Sequence, residues 1–178
     1  MLKKIVIIGP ESTGKSTLCK QLAEHFKSGW VPEYARAFLE TYGTDYSFDD
    51  LYKIAEGQIK NEEDAIFNAQ LANGNCNLLF IDTDMYVMKV WSEFVFNKCN
   101  NRILTQIANR EYDLYLLCNI DIPWVKDNLR EYPDLETRAK LFEYYKDTMV
   151  NQYVPWVEIK GDYKERLSMA IQEVNKLF

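Results

Sequence analysis

Histidine is almost absent from this 178-residue chain. His25 stands alone, and the four cysteines (Cys19, Cys76, Cys99, Cys118) include no C-x-x-C pair. Zinc chemistry and a disulfide framework both need denser ligand spacing, so reduced thiols are expected. Seven glycines and five prolines are too few for collagen-like or low-complexity architectures. No apolar run approaches the ~20 residues that span a bilayer. The run nearest the N-terminus, Ile5-Val6-Ile7-Ile8, stops at Gly9, short of a signal-peptide core. A cytoplasmic location with no membrane partner is the expectation. Positive charge is in deficit too: a net charge of −6 and a pI near 4.9 leave no basic stripe for a phosphate backbone, so no nucleic-acid partner is expected.

What remains is an ordinary globular composition, 47% hydrophobic and 27% charged, at a length suited to one domain over 1–178. The charge is unevenly spread. Basic residues outnumber acidic ones five to two in 1–30, acidic outnumber basic twelve to four in 31–96, and the two nearly balance in 97–178. The acidic middle reads either as solvated helix faces or as a site suited to a cationic ligand.

Short apolar runs rich in β-branched residues occur at Lys4–Ile8, Leu78–Ile81, Leu114–Cys118 and Val154–Ile159, with a weaker one at Trp30–Val31. Continuous rather than alternating apolarity suits strands covered on both faces. Helical spacing fills Lys15–Phe26, Phe48–Leu71, Met85–Phe96, Glu136–Tyr153 and Tyr163–Leu177. The β/α succession predicts an α/β fold with a parallel sheet. Residues 126–137 are polar, contain Pro133 and fit a mobile lid.

Residues 9–16, Gly9-Pro10-Glu11-Ser12-Thr13-Gly14-Lys15-Ser16, match G-x-x-x-x-G-K-[ST] between a strand and a helix. Gly9 lets the chain leave the strand, Gly14 permits close approach to phosphate, and the helix N-terminus aims unpaired N–H groups at one anion. A purine triphosphate is expected here, contacted by Gly9, Glu11, Ser12, Thr13, Gly14, Lys15, Ser16 and Thr17, with Lys15 bridging β- and γ-phosphates. Asp82 ends an apolar strand and, with Ser16, is the expected Mg²⁺ pair. Asp84 faces the acceptor if the backbone stays extended for two more residues. No N-K-x-D signature follows the fourth strand, where Cys118-Asn119-Ile120-Asp121 stands, so a regulatory GTPase is disfavoured. Arg130 and Arg138 flank the lid, where a kinase needs cations to stabilise transferring charge and a cover to exclude water. Pairing with Glu131 or Glu136 is their alternative.

On the P-loop, Pro32-Glu33-Tyr34-Ala35-Arg36, Ile54-Ala55-Glu56-Gly57-Gln58, Asp82-Thr83-Asp84, Asp121-Ile122-Pro123-Trp124-Val125, Leu129-Arg130, Arg138 and Gly161-Asp162-Tyr163, nearly the whole chain resembles the P-loop nicotinamide riboside kinase family, the C-terminal kinase part of NadR-type proteins. The resemblance implies a P-loop NTPase fold of five parallel strands, order 2-3-1-4-5, flanked by helices. It also implies transfer of the ATP γ-phosphoryl, with Mg²⁺, to a riboside 5′-hydroxyl, giving nicotinamide mononucleotide for NAD salvage. Glu33 is then the general base or hydroxyl orienter, with Asp84 as competitor and pairing with Arg36 as the alternative for Glu33. Acceptor contacts fall on Glu33, Tyr34, Arg36, Asp84 and Trp124, though Arg36 also suits phosphate and Trp124 also suits packing under the lid. Gly161, Asp162 and Tyr163 line adenine or form a plain turn.

The chain departs from the family where Pro32 replaces a tryptophan, where no aromatic follows Gln58 in 59–64, and where Asn128 replaces a glycine. Those changes keep two further readings open: a kinase of another nucleoside or small hydroxyl compound, and a non-catalytic ATP-binding regulatory module. With eight residues ahead of the P-loop, the adenylyltransferase part of the two-domain members is expected to be missing.

Overall fold

The computed structural model describes residues 2–71 and 77–178, and Cys76 lies outside them. The elements run β1 (Lys3–Ile8), α1 (Lys15–Phe26), β2 (Gly29–Val31), α2 (Tyr34–Tyr42), α3 (Phe48–Leu71), β3 (Leu78–Asp82), α4 (Met85–Phe96), α5 (Asn101–Asn109), β4 (Leu114–Cys118), α6 (Leu135–Val150), β5 (Trp156–Ile159) and α7 (Tyr163–Asn175). The five strands form one parallel sheet in the order β2-β3-β1-β4-β5, as the resemblance implies.

The strand period of two divides β1 between two apolar layers. Ile5 and Ile7 pack with Leu18, Leu22, Ala170 and Val174 from α1 and α7, while Val6 and Ile8 meet Val87, Val90, Leu141 and Phe142 from α4 and α6. A third cluster joins α2, α3, α4 and α5 through Phe38, Leu51, Ile54, Met88 and Ile103. With both faces covered, residues 5–8 are fully buried, which explains the unbroken apolar run.

Two helices escape the sequence pattern. α2 starts one residue after Glu33, whose side chain makes no cap bond, and its first turn holds no acid. α5 is only nine residues long and fully buries only Ile103, with Ile107 packed beside it, and Asn100 caps it by accepting from the Arg102 N–H at 2.9 Å. β5 begins two residues later than expected because the Gln152 amide occupies both the Val154 N–H (2.6 Å) and its carbonyl (2.7 Å). Cys19 and Cys118 are buried free thiols and Cys99 is a half-buried one. Among the described residues, no helix is long and apolar enough to cross a membrane.

Part of the acidic middle is structural. Glu62 on α3 is 2% exposed, pairs with Arg110 (3.0 Å) and Lys4 (3.4 Å), and accepts from the Tyr112 hydroxyl at 2.9 Å. Glu62→Ala leaves the Arg110 guanidinium buried beside fewer partners. A loss of about 3–5 kcal/mol in denaturant unfolding is expected, the cost of orphaning one member of a buried pair.

Candidate active site

The carboxyl ends of β1, β2 and β3 open onto a cavity of about 460 Å³ whose floor is the loop 9–14. Gly9 has φ +138°, and a Cβ there would sit 2.7 Å from the Cys118 carbonyl oxygen, so the loop leaves β1 in a conformation open only to glycine. Gly14, at φ +77°, caps α1 without a side chain, and the first turn holds no acid. The leading N–H groups of α1 are therefore free for an anion. Inside the loop, the Lys15 ammonium (2.9 Å) and the Thr13 hydroxyl (2.7 Å) both donate to the Pro10 carbonyl.

The loop is braced from below by a residue that no motif flagged. Arg166 of α7, 2% exposed, donates to the carbonyls of Thr13 (2.6 Å), Asn119 (2.8 Å) and Gly161 (2.8 Å) and pairs with Asp121. Its contacts lie 5 to 153 residues away, so only the fold reveals them.

Asp82 is 1% exposed, and neither carboxylate oxygen has a hydrogen-bond partner of normal geometry. Burial, and next the negative charge of Glu33, hold its carboxyl well above the usual carboxylate range; Lys15 and Ser16 pull the other way. Orphaned, buried and facing Ser16 and Lys15, this acid fits the Mg²⁺ role expected of the pair Ser16 and Asp82.

Asp84 is not brought to the cavity. Thr83 adopts φ +79°, which breaks the extended backbone that would have aimed Asp84 at an acceptor. Asp84 instead caps α4, accepting from the N–H groups of Tyr86 (3.0 Å) and Val87 (3.3 Å) and from the Tyr115 hydroxyl (2.7 Å). Burial raises its pKa to about 6 against those stabilising donors.

Glu33 and Arg36 line the cavity with Pro32, Ala35 and Leu39. Arg36 pairs with Asp127 (2.5 Å) and Glu40 (3.6 Å), which leaves Glu33 without an ion pair among the described residues. Tyr34 points elsewhere, onto Gly57 of α3, and lies outside the lining. Trp30, Trp91, Phe94, Tyr132 and Tyr145 complete an aromatic wall that sequence reading missed, because these rings come from β2, α4, α6 and the lid segment.

The lid segment is docked on the loop. The Glu11 carboxylate accepts from the N–H groups of Glu131 (3.0 Å) and Tyr132 (2.6 Å), and the Ser12 hydroxyl oxygen accepts from the Val125 N–H (2.9 Å) and the Arg130 guanidinium (3.2 Å). The Trp91 indole N–H donates to the Tyr46 hydroxyl (2.8 Å), which donates to Glu131 (2.9 Å). Arg130 lines the cavity; Arg138, 4% exposed, lies just outside the lining with two guanidinium nitrogens lacking any partner. Burial lowers its pKa, with Arg130 acting in the same direction and Glu11 opposing. A buried cation left this bare suits a phosphate oxygen.

Gly161, Asp162, Tyr163 and Trp124 also lie outside the lining. Asp162 forms a capping box with Glu165 at the start of α7, the Tyr163 ring abuts Gly14, and the buried Trp124 indole N–H is unpartnered.

A family model described as an AAA domain matches residues 4–166. The trifunctional NAD biosynthesis/regulator protein NadR of Salmonella typhimurium is 26% identical over 181 residues, and that of Escherichia coli 25%; each match takes in 99% of this chain and 43% of the relative. The chain thus spans under half the length of these relatives. Among solved structures, a NadR protein in complex with NR superposes with a TM-score of 0.81 at 24% identity. A NadR protein in complex with NAD and AMP-PNP gives 0.73 at 21%, and both cover 98% of this chain and 49% of the other. These likenesses establish the fold.

Glu11→Ala removes the acceptor that holds the lid amides, so trypsin should cut after Lys126 and Arg130 several-fold faster, on the order of a lost local contact of about 1–3 kcal/mol, read as fragment appearance with time. Because Asp82 has a raised pKa when folded, the folded chain binds more protons than the unfolded one between its ordinary and raised values, and its contribution to stability falls as pH rises through that window. Asp82→Asn should therefore melt above the wild type near neutral pH and beyond, with the gap closing toward about pH 4.

Proposed function

The chain belongs to the AAA domain family, and on that premise we propose that it is an ATP- and Mg²⁺-dependent kinase that phosphorylates the 5′-hydroxyl of nicotinamide riboside to give nicotinamide mononucleotide. The observation that carries the reading is the meeting of an uncapped helix N-terminus, the orphaned Asp82 carboxylate and the unpaired Glu33 in one cavity. A sensor of ATP needs the first two; an acid without an ion pair in the same cavity suits an acceptor hydroxyl. Two NadR relatives named for NAD biosynthesis, and a NadR neighbour bound to NR, support the acceptor class.

The triphosphate sits in the loop, its β- and γ-oxygens drawn by Lys15 and the α1 N–H groups. Ser16 and Asp82 would hold Mg²⁺, which when bound neutralises charge on the phosphate oxygens. Glu33 orients the riboside hydroxyl and accepts its proton as the hydroxyl oxygen bonds to the γ-phosphorus; the bond to the β–γ bridging oxygen breaks and ADP leaves with that electron pair. Arg130 and Arg138 stabilise the charge spread over the transferring group, and the docked lid excludes water that would compete as acceptor. Glu33, Glu131 and the aromatic wall offer a flat cationic ring both charge and π-faces.

A neutral nucleoside is the second reading, favoured by Pro32, which lines the wall at a position where this chain departs from the nicotinamide riboside kinases it resembles. Incubating the protein with nicotinamide riboside, ATP and Mg²⁺ and weighing the products decides between them. The mononucleotide is expected, and ADP release with a neutral nucleoside but not with the riboside would reassign the acceptor. Glu33→Gln should lower kcat by about 10²–10⁴-fold, the range of a general base, while Lys15→Ala abolishes turnover with an unchanged circular dichroism spectrum.

A further inference from the structure

Gln58 of α3 is 1% exposed and does not line the cavity, yet its amide joins two segments that do. Its Oε1 accepts from the Tyr34 N–H at 2.7 Å. Its Nε2 donates to the carbonyls of Thr83 (2.9 Å) and Asp82 (3.3 Å). The orientation of the amide is fixed by its partners, since only the nitrogen can serve two carbonyls and only the oxygen can serve an N–H.

The place of this bond matters. The β2–β3 ladder runs through Gly29–Leu79, Trp30–Phe80 and Val31–Ile81 and then stops, and Pro32 has no N–H to continue it. Glu33 and Asp82 both lie past the last ladder pair. Beyond that point the two chains part, one turning into α2 and the other kinking at Thr83 with φ +79°. Among the described residues, Gln58 is the one side chain hydrogen-bonded to both. Next to it, Gly57 has no Cβ because the Tyr34 ring occupies that space, where a Cβ would come within 2.1 Å. The Gly57-Gln58 pair thus receives the ring and the N–H of one residue, the residue directly after Glu33.

We infer that Gln58 is a positioning residue that sets the separation of Glu33 and Asp82, the acids on the acceptor and phosphate sides of the transfer. The inference rests on the kinase reading above and deepens it. Gln58 touches neither substrate nor nucleotide; it acts through the backbone of the residues beside the two acids. A displacement of about 1 Å between acceptor and phosphorus can cost roughly 10²-fold in rate without altering nucleotide affinity, so its loss should appear in the chemical step.

The test compares Gln58→Met, which keeps volume and removes all three bonds, with Gln58→Glu, which keeps the acceptor for the Tyr34 N–H and loses both donors. ATP affinity by calorimetry, kcat and the acceptor KM are measured, together with hydrogen exchange at the Tyr34 amide in the substrate-free protein. For Gln58→Met the expectation is a Tyr34 amide that exchanges at least about tenfold faster while β3 amides stay protected. Its kcat should fall by about 10–10²-fold, with a raised acceptor KM and ATP affinity within about twofold of wild type. Gln58→Glu should keep the Tyr34 amide protected and still lose kcat.

In a folded Gln58→Met protein, unchanged exchange at Tyr34, unchanged kcat, or ATP affinity falling in step with kcat each overturns the inference, the last because it marks general loosening. Should Gln58→Met not fold, Gln58→Glu is read by the same rule: kcat lost with ATP affinity kept supports positioning, and parallel loss overturns it. A wild-type control separates the two claims. No mononucleotide from the riboside defeats the proposed acceptor, and the variants are then compared on whichever nucleoside gives ADP release; release with none defeats both.

Discussion

A single anion seat organises this molecule. α1 begins at Gly14 with neither a capping side chain nor an acid in its first turn, so its positive end faces the cavity uncompensated. Around that seat the fold places cations that have no acidic partner among the described residues. Arg138 has two bare nitrogens, and the Lys15 ammonium is satisfied only by a carbonyl of its own loop. Such groups are costly in isolation and favourable once a phosphate enters, so the same arrangement that lowers the stability of the free protein supplies binding energy for a triphosphate.

The opposing acids obey the same logic. Asp82 is buried without a hydrogen bond, beside Glu33, in a site where two negative charges repel. Thr83, a β-branched residue at positive φ, adds about 1–3 kcal/mol of backbone strain at the same strand end. The sheet tolerates these defects because they sit at its carboxyl edge, while the buried middle of β1, β3 and β4 and the helices on both faces carry the stability. Tolerance has a second source in fixed struts: Arg166 under the loop and Gln58 between β3 and α2 each satisfy several backbone groups at once, and neither faces the cavity.

What could be read from the chain was what depends on near neighbours. The loop 9–16, the strands at 4–8, 78–81 and 114–118 and the helices at 15–26, 48–71 and 85–96 declare themselves through local spacing, and the structure has them at nearly the same bounds. α2 and α5 did not, since one lacks a cap and the other buries a single apolar side chain. An extended backbone would aim Asp84 at an acceptor, and one positive φ at Thr83 makes it a helix cap instead. Arg166 carries no signal of its own, and Gln58 closes the motif 54–58 without any sign of what it does: an arginine in an amphipathic stretch and a glutamine inside a helix read as surface, and only tertiary placement makes them buried braces.

The acidic middle third illustrates how charge in sequence differs from charge in space. Of its twelve acids only Glu33 and Asp82 line the cavity, and Asp82 faces the phosphate side. Glu62 and Glu63 are taken by Arg110, Asp50 by Lys53, Glu40 by Arg36 and Glu93 by Lys89. A cationic acceptor would therefore be drawn not by the segment as a whole but by Glu33 and by Glu131, which the lid brings in from outside that segment and which the Tyr46 hydroxyl holds. Attraction then depends on lid position, because an opened lid carries one of the two carboxylates away. On the proposed kinase reading, binding of a cationic riboside and closure over it would be one coupled event, with the Trp91–Tyr46–Glu131 hydrogen bonds joining the aromatic wall to the segment that closes.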